Sequence, residues 1–485
     1  MRILKHKSVD YSEISLSELG QEMRFDADYW EPSYLKNEGI ITTKKHTKTK
    51  NIAPNPQYGI SVAMNEEGKG YSILKMDNIM EMLAEDKDAK FADVSEKIFK
   101  QFQLKKFDVL FNRVNSDDFV GRTGIYLIDG KHTFASYLVK VDSGKEHTNC
   151  YLTAYLNCKY GKTALHRVKR RAVNQANINA KELGNLNIPT PSDALQKQIQ
   201  ILIVDAQKQK QLSHQLYQDA HQILFDELGL TNWKCKESSY KLYNQKLKVE
   251  NTVNIVPLES VLKAERIDSE YWLPKFEELL MVIKKNALEI FPLSKIILFN
   301  QRGVQPLYVE GGEMCVVNSR HIGEQHIDYN NLEKTDISFF NLIKTKAAHI
   351  KKYDILTYTT GAYVGKTNCY LKDVPAIASN HVNILRVSKF PIYVGFVLNS
   401  IIGEFQTRKY AKGSAQVELY PFDIQKFIIP FISEKHIKRI ERLYSDSLNI
   451  SERSKAFLEI AKRAVEIFIE KDEKEALKFI KQSTK

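Results

Sequence analysis

The chain writes one phrase twice. "RFDADYWEP" occupies residues 24–32 and "RIDSEYWLP" occupies 266–274, an offset of 242. Arg, Asp, Tyr, Trp and Pro hold the same places, and the copies contain two of the three tryptophans, Trp30 and Trp272. Further matches keep both the order and the interval. "KFDVLF" (106–111) recurs as "KYDILT" (352–357), "VGRTGIYL" (120–127) as "VGKTNCYL" (364–371), and "FAS" (134–136) as "IAS" (377–379). Gln175 and "NIP" (187–189) recur as Gln416 and "IIP" (428–430), so every offset lies between 241 and 246. That period is far longer than a solenoid repeat. The chain therefore carries two diverged copies of one module, and any fold proposed for it must be built twice.

Each copy follows one plan. After the opening phrase comes a proline, Pro32 or Pro274, placed for a first helical turn. Short apolar segments rich in Val, Ile, Phe and Tyr follow, broken by Gly, Asn and Asp, and these read as strands and turns. A long helix closes the copy. The first is expected from Asp193 to Leu228, where Asp193 with Gln196 resembles a capping box and Gly229 is a natural stop. It has a heptad seam of Leu195, Ile199, Leu202, Ala206, Gln209, Ser213, Leu216, Ala220 and Ile223. Shifted by 241, the seam becomes His436, Ile440, Leu443, Ser447, Ile450, Ser454, Phe457, Ala461 and Ala464. Heptad spacing in both copies argues that the helices pair, with small residues allowing close approach. The alternative is that each helix packs on its own module.

The polar, Lys-rich segment 231–254 reads as a linker that lets the second helix return antiparallel. The expected fold is α/β (α+β). Two similar recognition domains (1–190 and 258–431) would be joined by long helices (191–230 and 432–485) and a linker (231–257), with a pseudo-two-fold relation between the copies. A 36-residue helix would be about 54 Å long.

Composition sets outer limits. The 485 residues suit about three domains of ordinary size. Apolar residues make up 43% and charged residues 27%, as in a soluble globular protein. The longest apolar runs, "ILIV" (201–204) and "FIIPFI" (427–432), are too short to span a membrane. The start "MRILKHKSVD" has no apolar signal core, so a cytoplasmic location is expected. Five cysteines form no CxxC pair and read as reduced thiols without structural zinc. The net charge of +12 attracts polyanions, for which nucleic acid is the commonest reason; a merely basic enzyme is the alternative.

The arrangement resembles the specificity subunit of Type I restriction–modification systems. The resemblance is carried by "RFDADYW"/"RIDSEYW", by "DVLF"/"DILT" with the loops leading to "VGRT"/"VGKT", and by the endings "LNIPTPSDALQKQIQIL" and "FIIPFISEKHIKRIERL". It covers nearly the whole chain. It implies two target-recognition domains on an antiparallel coiled coil, reading a bipartite, asymmetric target in double-stranded DNA. It also implies a subunit without catalysis of its own, which recruits two adenine-N6 methyltransferase subunits and restriction (translocase) subunits. S-adenosylmethionine, ATP and Mg are then expected only on those partners. One departure is that the family often has Gly before the Asp of the "DVL" strand, where this chain has Phe107 and Tyr353.

Three segments imitate catalytic motifs. "NPQY" (55–58) approaches the Asn-Pro-Pro-Tyr/Phe motif that holds a flipped adenine, but Gln57 replaces the second proline and the other copy reads "QPLY" (305–308). Tyr58 and Tyr308 fit the recognition module better. "GAYVGKT" (361–367) has three residues between Gly and Gly-Lys-Thr, where a phosphate-binding loop needs four. A nuclease would need clustered carboxylates and a Lys, and the chain has no Pro-Asp dipeptide to open that signature.

DNA reading needs hydrogen-bonding side chains on loops and cations at phosphates. The first candidate loop is 111–123, with Asn112, Arg113, Asn115, Ser116 and Arg122; its counterpart, 357–367, offers Tyr358, Thr359, Thr360, Tyr363 and Lys366. Frameworks match while tips differ, as two equal scaffolds reading different sequences require. The basic run 159–175, with Lys169, Arg170, Arg171 and then Gln175, suits phosphate contacts. Arg408, Lys409, Lys412 and Gln416 stand in the second copy. Solvated polar turns and a basic helix face are the competing readings. For the chain as a whole, the rivals are a methyltransferase–nuclease acting alone and a coiled-coil scaffold that binds protein.

Overall fold

The computed structural model of the chain describes residues 2–6, 9–22, 24–172, 175–234, 255–413 and 416–484. Most of the segment read as a linker, 235–254, lies outside the described residues, as does Cys235. The chain divides into two compact units that both mix helix and strand: Met1–Gln211 with Ser451–Lys485, and Leu212–Ile450. The other four cysteines are buried and free. No helix among the described residues is long and apolar enough to cross a membrane.

The opening phrase folds alike in both units, for local reasons. Arg24 grips both carboxylate oxygens of Asp26, at 2.7 and 2.6 Å, and Arg266 grips those of Asp268 at 2.6 and 2.7 Å. The indole N–H of Trp30 donates to the Arg24 carbonyl at 2.8 Å, and that of Trp272 to the Arg266 carbonyl at 2.9 Å. Each guanidinium lies over the next tyrosine ring, Tyr29 at 4.6 Å and Tyr271 at 4.8 Å. Pro32 and Pro274 then open the helices Pro32–Thr42 and Pro274–Asn286, where a missing N–H costs nothing. The same arginines also donate to main-chain carbonyls, Arg24 to Val168 and Arg266 to Tyr410.

The sheets repeat as well. In the first unit, strand Val109–Asn112 lies antiparallel between Leu138–Val141 and Thr123–Ile125, with Gln57–Tyr58 beyond Leu138–Val141. In the second, Ile355–Tyr358 lies antiparallel between Val382–Val387 and Thr367–Cys369, with Ile297–Arg302 outside. Each unit adds a sheet with one parallel pair, His132–Phe134 on Tyr71–Leu74 and Ala376–Ala378 on Met314–Val317. The "NIP" and "IIP" strands pair with His46–Lys48 and Glu289–Pro292. The apolar runs of the central strands are explained by burial on both faces: Val109, Leu110, Phe111, Ile355 and Leu356 are all inaccessible.

The residues before the two central strands depart from ordinary backbone. Phe107 and Tyr353 both have φ of +72°, the left-handed region that glycine enters at no steric cost. Glycine at this place therefore has a physical reason, and here an aromatic residue carries the strain. The frame fixes it: Phe107 N–H donates to the Tyr126 carbonyl at 2.8 Å, and Tyr353 N–H to that of Tyr370 at 2.7 Å. Asp108 and Asp354 then accept the N–H of Lys105 and Lys351, at 2.8 and 2.7 Å.

The first long helix spans Asp193–Leu228, as its periodicity predicts. Its cap differs. Ser192 Oγ accepts the N–H of Ala194, while Gln196 turns away to Thr148 and the Pro191 carbonyl. At the other end Gly229 has φ of +68°, and Leu230 N–H reaches back to the Phe225 carbonyl at 2.7 Å, a Schellman stop. Six seam positions are buried, whereas Gln209, Leu216 and Ile223 are half-buried. Burial drifts toward Tyr217, Leu224 and Leu228, because 3.6 residues per turn outruns a strict heptad. Seam serines cross between helices. In the first unit Ser454 Oγ donates to the Ala206 carbonyl at 2.7 Å; in the second, Ser213 Oγ donates to that of Ser447 at 2.7 Å. Where the sequence suggests one helix over 432–485, there are two, Glu434–Glu470 and Glu473–Ser483. Asp472 divides them by capping the Glu475 N–H at 2.9 Å.

Two histidines make the second unit acid-sensitive, the half-buried His221 and the buried His321, whose pKa burial and then Arg320 also push down to about 4. His221 sits among Tyr217, Phe225 and Phe396, with ring centroids 4.9, 5.6 and 4.5 Å away, and the loss of water pushes its pKa down to about 4. The unfolded chain takes up this proton near 6.5. The stability is therefore complete above about pH 6.5 and falls as the pH drops toward about 4. His221→Phe should remove its share of that fall in chemical denaturation midpoints and leave the share of His321. An equal fall in both proteins would show that His221 is not among its sources.

Candidate nucleic-acid interface

The same frame holds the candidate loop in both units. Asn112 N–H donates to the Arg122 carbonyl and Gly121 N–H to that of Asn112, both at 2.8 Å; Tyr358, Lys366 and Gly365 repeat both bonds at 2.8 Å. The loop is also stitched to the segment that follows the basic run. Ile178 N–H donates to the Arg113 carbonyl at 2.9 Å, and Leu419 N–H to the Thr359 carbonyl at 2.9 Å. In the first unit a small sheet results, Val114–Asn115 on Gln175–Asn177 on Arg170–Ala172. Asn115, Ser116, Gln175, Arg170 and Arg171 are thereby brought together. In the second, Thr360 bridges Glu418, which also bridges Lys412, close to Gln416 in the chain.

Not every residue singled out from the sequence reaches the surface. Asn112 is inaccessible, and Thr360 is buried. Arg113 is half-buried with its guanidinium 5.0 Å from the centre of the Tyr58 ring, and the Tyr58 hydroxyl accepts the Ala180 N–H at 3.1 Å. Tyr358 is half-buried, whereas Ser116, Gln175, Tyr308, Tyr363 and Gln416 are exposed. The Tyr308 hydroxyl lies 3.5 Å from Asn318 Nδ2.

The basic run meets acids that its own sequence lacks. Lys169, with 3% of its side chain exposed, donates to Asp117 at 2.8 Å. Arg171 donates to the other oxygen of Asp117 at 3.0 Å and to Asp28 at 2.9 Å, and Arg170 pairs with Glu182. Lys169 and then Arg171 hold the Asp117 carboxyl below the usual carboxylate range. In the second unit Arg408 pairs with Glu404, and Lys409 with Glu277 at 2.9 Å. Lys409 lies over Tyr271 at 5.0 Å, as Arg167 lies over Tyr29 at 4.3 Å. Lys412 lies 3.4 Å from Asp423, and Lys366 3.9 Å from Glu324. Lys169, Arg408 and Lys409 thus hold the frame; Arg170, Arg171, Lys366 and Lys412 keep more exposure.

The counterpart of Tyr58 is Arg302, not Tyr308. Tyr58 sits opposite Val139 and Arg302 opposite Asn383, while Val139 and Asn383 face Phe111 and Thr357 on the matching strands. The next residues, Gly59 and Gly303, are both required, since an added Cβ would lie 2.3 Å from the Ala135 carbonyl oxygen and 2.1 Å from that of Ala378. The signal was present as "QYGI" (57–60) against "QRGV" (301–304). Arg302 lies over Tyr420 at 4.8 Å and donates to the Leu419 carbonyl at 2.9 Å. Phe119 is a second residue that the sequence reading passed over; it stands where Tyr363 stands, one place before "VGRT".

The motif imitations resolve into ordinary structure. Gln57–Tyr58 is an edge strand, and Thr367 begins strand Thr367–Cys369, where a phosphate-binding loop would open a helix. Among the described residues no three His, Cys, Asp or Glu side chains gather as a metal site needs.

No family model matches the chain. A curated protein of Methanocaldococcus jannaschii, assigned provisionally as the specificity subunit of type I restriction enzyme MjaX, is 28% identical over 152 residues. That match takes in 30% of this chain and 35% of the relative, so only about a third of the relative's length is spanned. Two solved structures are similar at 10% identity. One is the S subunit of a Type I restriction–modification system from M. genitalium, with a TM-score of 0.40 over 88% of this chain and 94% of that one. The other is the HsdS subunit of Thermoanaerobacter tengcongensis, with a TM-score of 0.26 over 88% and 97%. The resemblance drawn from the duplicated motifs is to the same kind of protein as the M. jannaschii relative.

Proposed function

We propose that the chain is the non-catalytic DNA sequence-recognition subunit of a Type I restriction–modification complex. Each unit reads one half of a bipartite, asymmetric target. The chain recruits two methyltransferase subunits and restriction (translocase) subunits, which carry S-adenosylmethionine, ATP and Mg. The observation that supports this reading is one backbone frame used twice, holding two different loop tips beside a basic segment. A scaffold that binds one thing twice would repeat the tips as well as the frame.

Binding-site selection from randomised duplexes with the purified chain tests the reading. Two short constant elements separated by a fixed, unspecified gap are expected, with neither methyl transfer nor cleavage above a heat-killed control. Arg113→Ala should cost about 1–3 kcal/mol on the selected duplex and relax one element only. Enrichment of a single element, or activity from the chain alone, would overturn the assignment.

A further inference from the structure

Both candidate loops end alike. Phe119-Val120-Gly121-Arg122-Thr123 in the first unit answers to Tyr363-Val364-Gly365-Lys366-Thr367 in the second. The aromatic residue is exposed in each, 42% for Phe119 and 63% for Tyr363. Three residues on, a cation covers its ring, Arg122 at 3.9 Å and Lys366 at 4.4 Å. Gly121 and Gly365 make the turn behind it at φ of +89° and +96°. These rings are held outward by closed, hydrogen-bonded loops; they are not the fringe of a core. In the first unit Met80, also exposed, lies against Arg122, 4.0 Å from its Nη1.

The residues before the shared ending differ in kind and number. "RVNSDD" (113–118) stands in one loop and "TTGA" (359–362) in the other. Groups that read different bases should differ between the units. A pair kept in both should do something common to both half-sites. An aromatic face stacks on any base, whatever its identity. An apolar wedge set between two base pairs unstacks the step and kinks the duplex. A neighbouring cation neutralises phosphate.

We propose that Phe119 and Tyr363 are wedges, each opening one base step in its half-site, with Arg122 and Lys366 steadying the ring and screening the adjoining phosphate. The inference rests on the DNA-reading function proposed above. Its ligand is stacked duplex DNA at a step chosen by the rest of the loop.

The full chain and the duplexes recovered by selection provide the test. 2-Aminopurine is placed at each position in turn, because its fluorescence rises when it unstacks. The wild-type complex should brighten at one step in each half-site. Phe119→Ser should abolish the first signal and leave the second, and Tyr363→Ser the reverse, each weakening binding about fivefold or more. Phe119→Tyr and Tyr363→Phe should restore the signals. Both rings are exposed, so all four variants should melt like the parent. A bound wild-type complex without brightening, or brightening that survives the serine variants, overturns the wedge and leaves DNA reading standing. Failure to enrich any duplex overturns both.

Discussion

Deleting residues 451–485 should unfold the first unit and leave the second folded. Leu458, Ala461, Ala464, Val465, Phe468, Ala476 and Ile480 are buried in one cluster with Leu195, Ile199 and Leu202 and with the sheet residues Val109 and Phe111. Each large apolar side chain removed forfeits about 1.5–3 kcal/mol, so together they rival the about 5–15 kcal/mol that holds a whole domain. The deletion also leaves the Ala206 carbonyl without the Ser454 hydroxyl. Hydrogen exchange reports the outcome by unit. Amides of 109–112 should lose protection while those of 355–358 keep it. Wild-type protection at 109–112 in the shortened chain would refute the placing of the last residues in the first core.

The second large effect is expected at Asp354. Its side chain is 2% exposed and accepts both Arg386 nitrogens, Nε at 2.7 Å and Nη2 at 2.9 Å, as well as the Lys351 N–H. Asp354→Ala takes the carboxylate from that guanidinium, which keeps the His349 carbonyl at 2.7 Å and the face of Phe299 at 4.4 Å. The cost should be about 3 kcal/mol, the lower end for a broken buried pair, because Arg386 retains 23% exposure. Replacing both residues, Asp354→Leu with Arg386→Met, should recover most of it in urea denaturation. If the double replacement is no better than the single one, the loss comes from packing and the ion pair is not its cause. The equivalent Asp108 has only Lys140, at 3.7 Å, so Asp108→Ala should cost less.

What the sequence made legible is what local periodicity and repetition encode. The helix from Asp193 to Leu228, its glycine stop and the prolines at first helical turns all follow from rules that act over a few residues. The repeat foretold matching frames because like residues recur in the same order at nearly the same interval. The cap escaped because Ser192 and Asp193 are both good candidates and only the geometry chooses between them. The basic run read as free charge because Asp28, Asp117 and Glu182 reach it from other parts of the chain. Tyr58 was matched to Tyr308 by residue type, whereas strand register matches it to Arg302. Pairing between distant segments leaves no periodic trace in either of them.

The closed loops have a consequence for heredity. Between the bonded ends Asn112 and Arg122 lie nine residues, and between Tyr358 and Lys366 lie seven. The ends are tied by main-chain bonds, and the frame already tolerates two lengths, but it keeps some side chains fixed: Asp117 holds Lys169, Val120 is buried in the core, and Gly121 and Gly365 make the closing turns. A short stretch of coding sequence exchanged among the exposed tip residues by recombination, or lengthened there by slippage, would alter what one unit presents while sparing Val120, the rest of its core and the other unit. A lineage with this architecture can therefore change its surface chemistry in single inherited steps, one unit at a time.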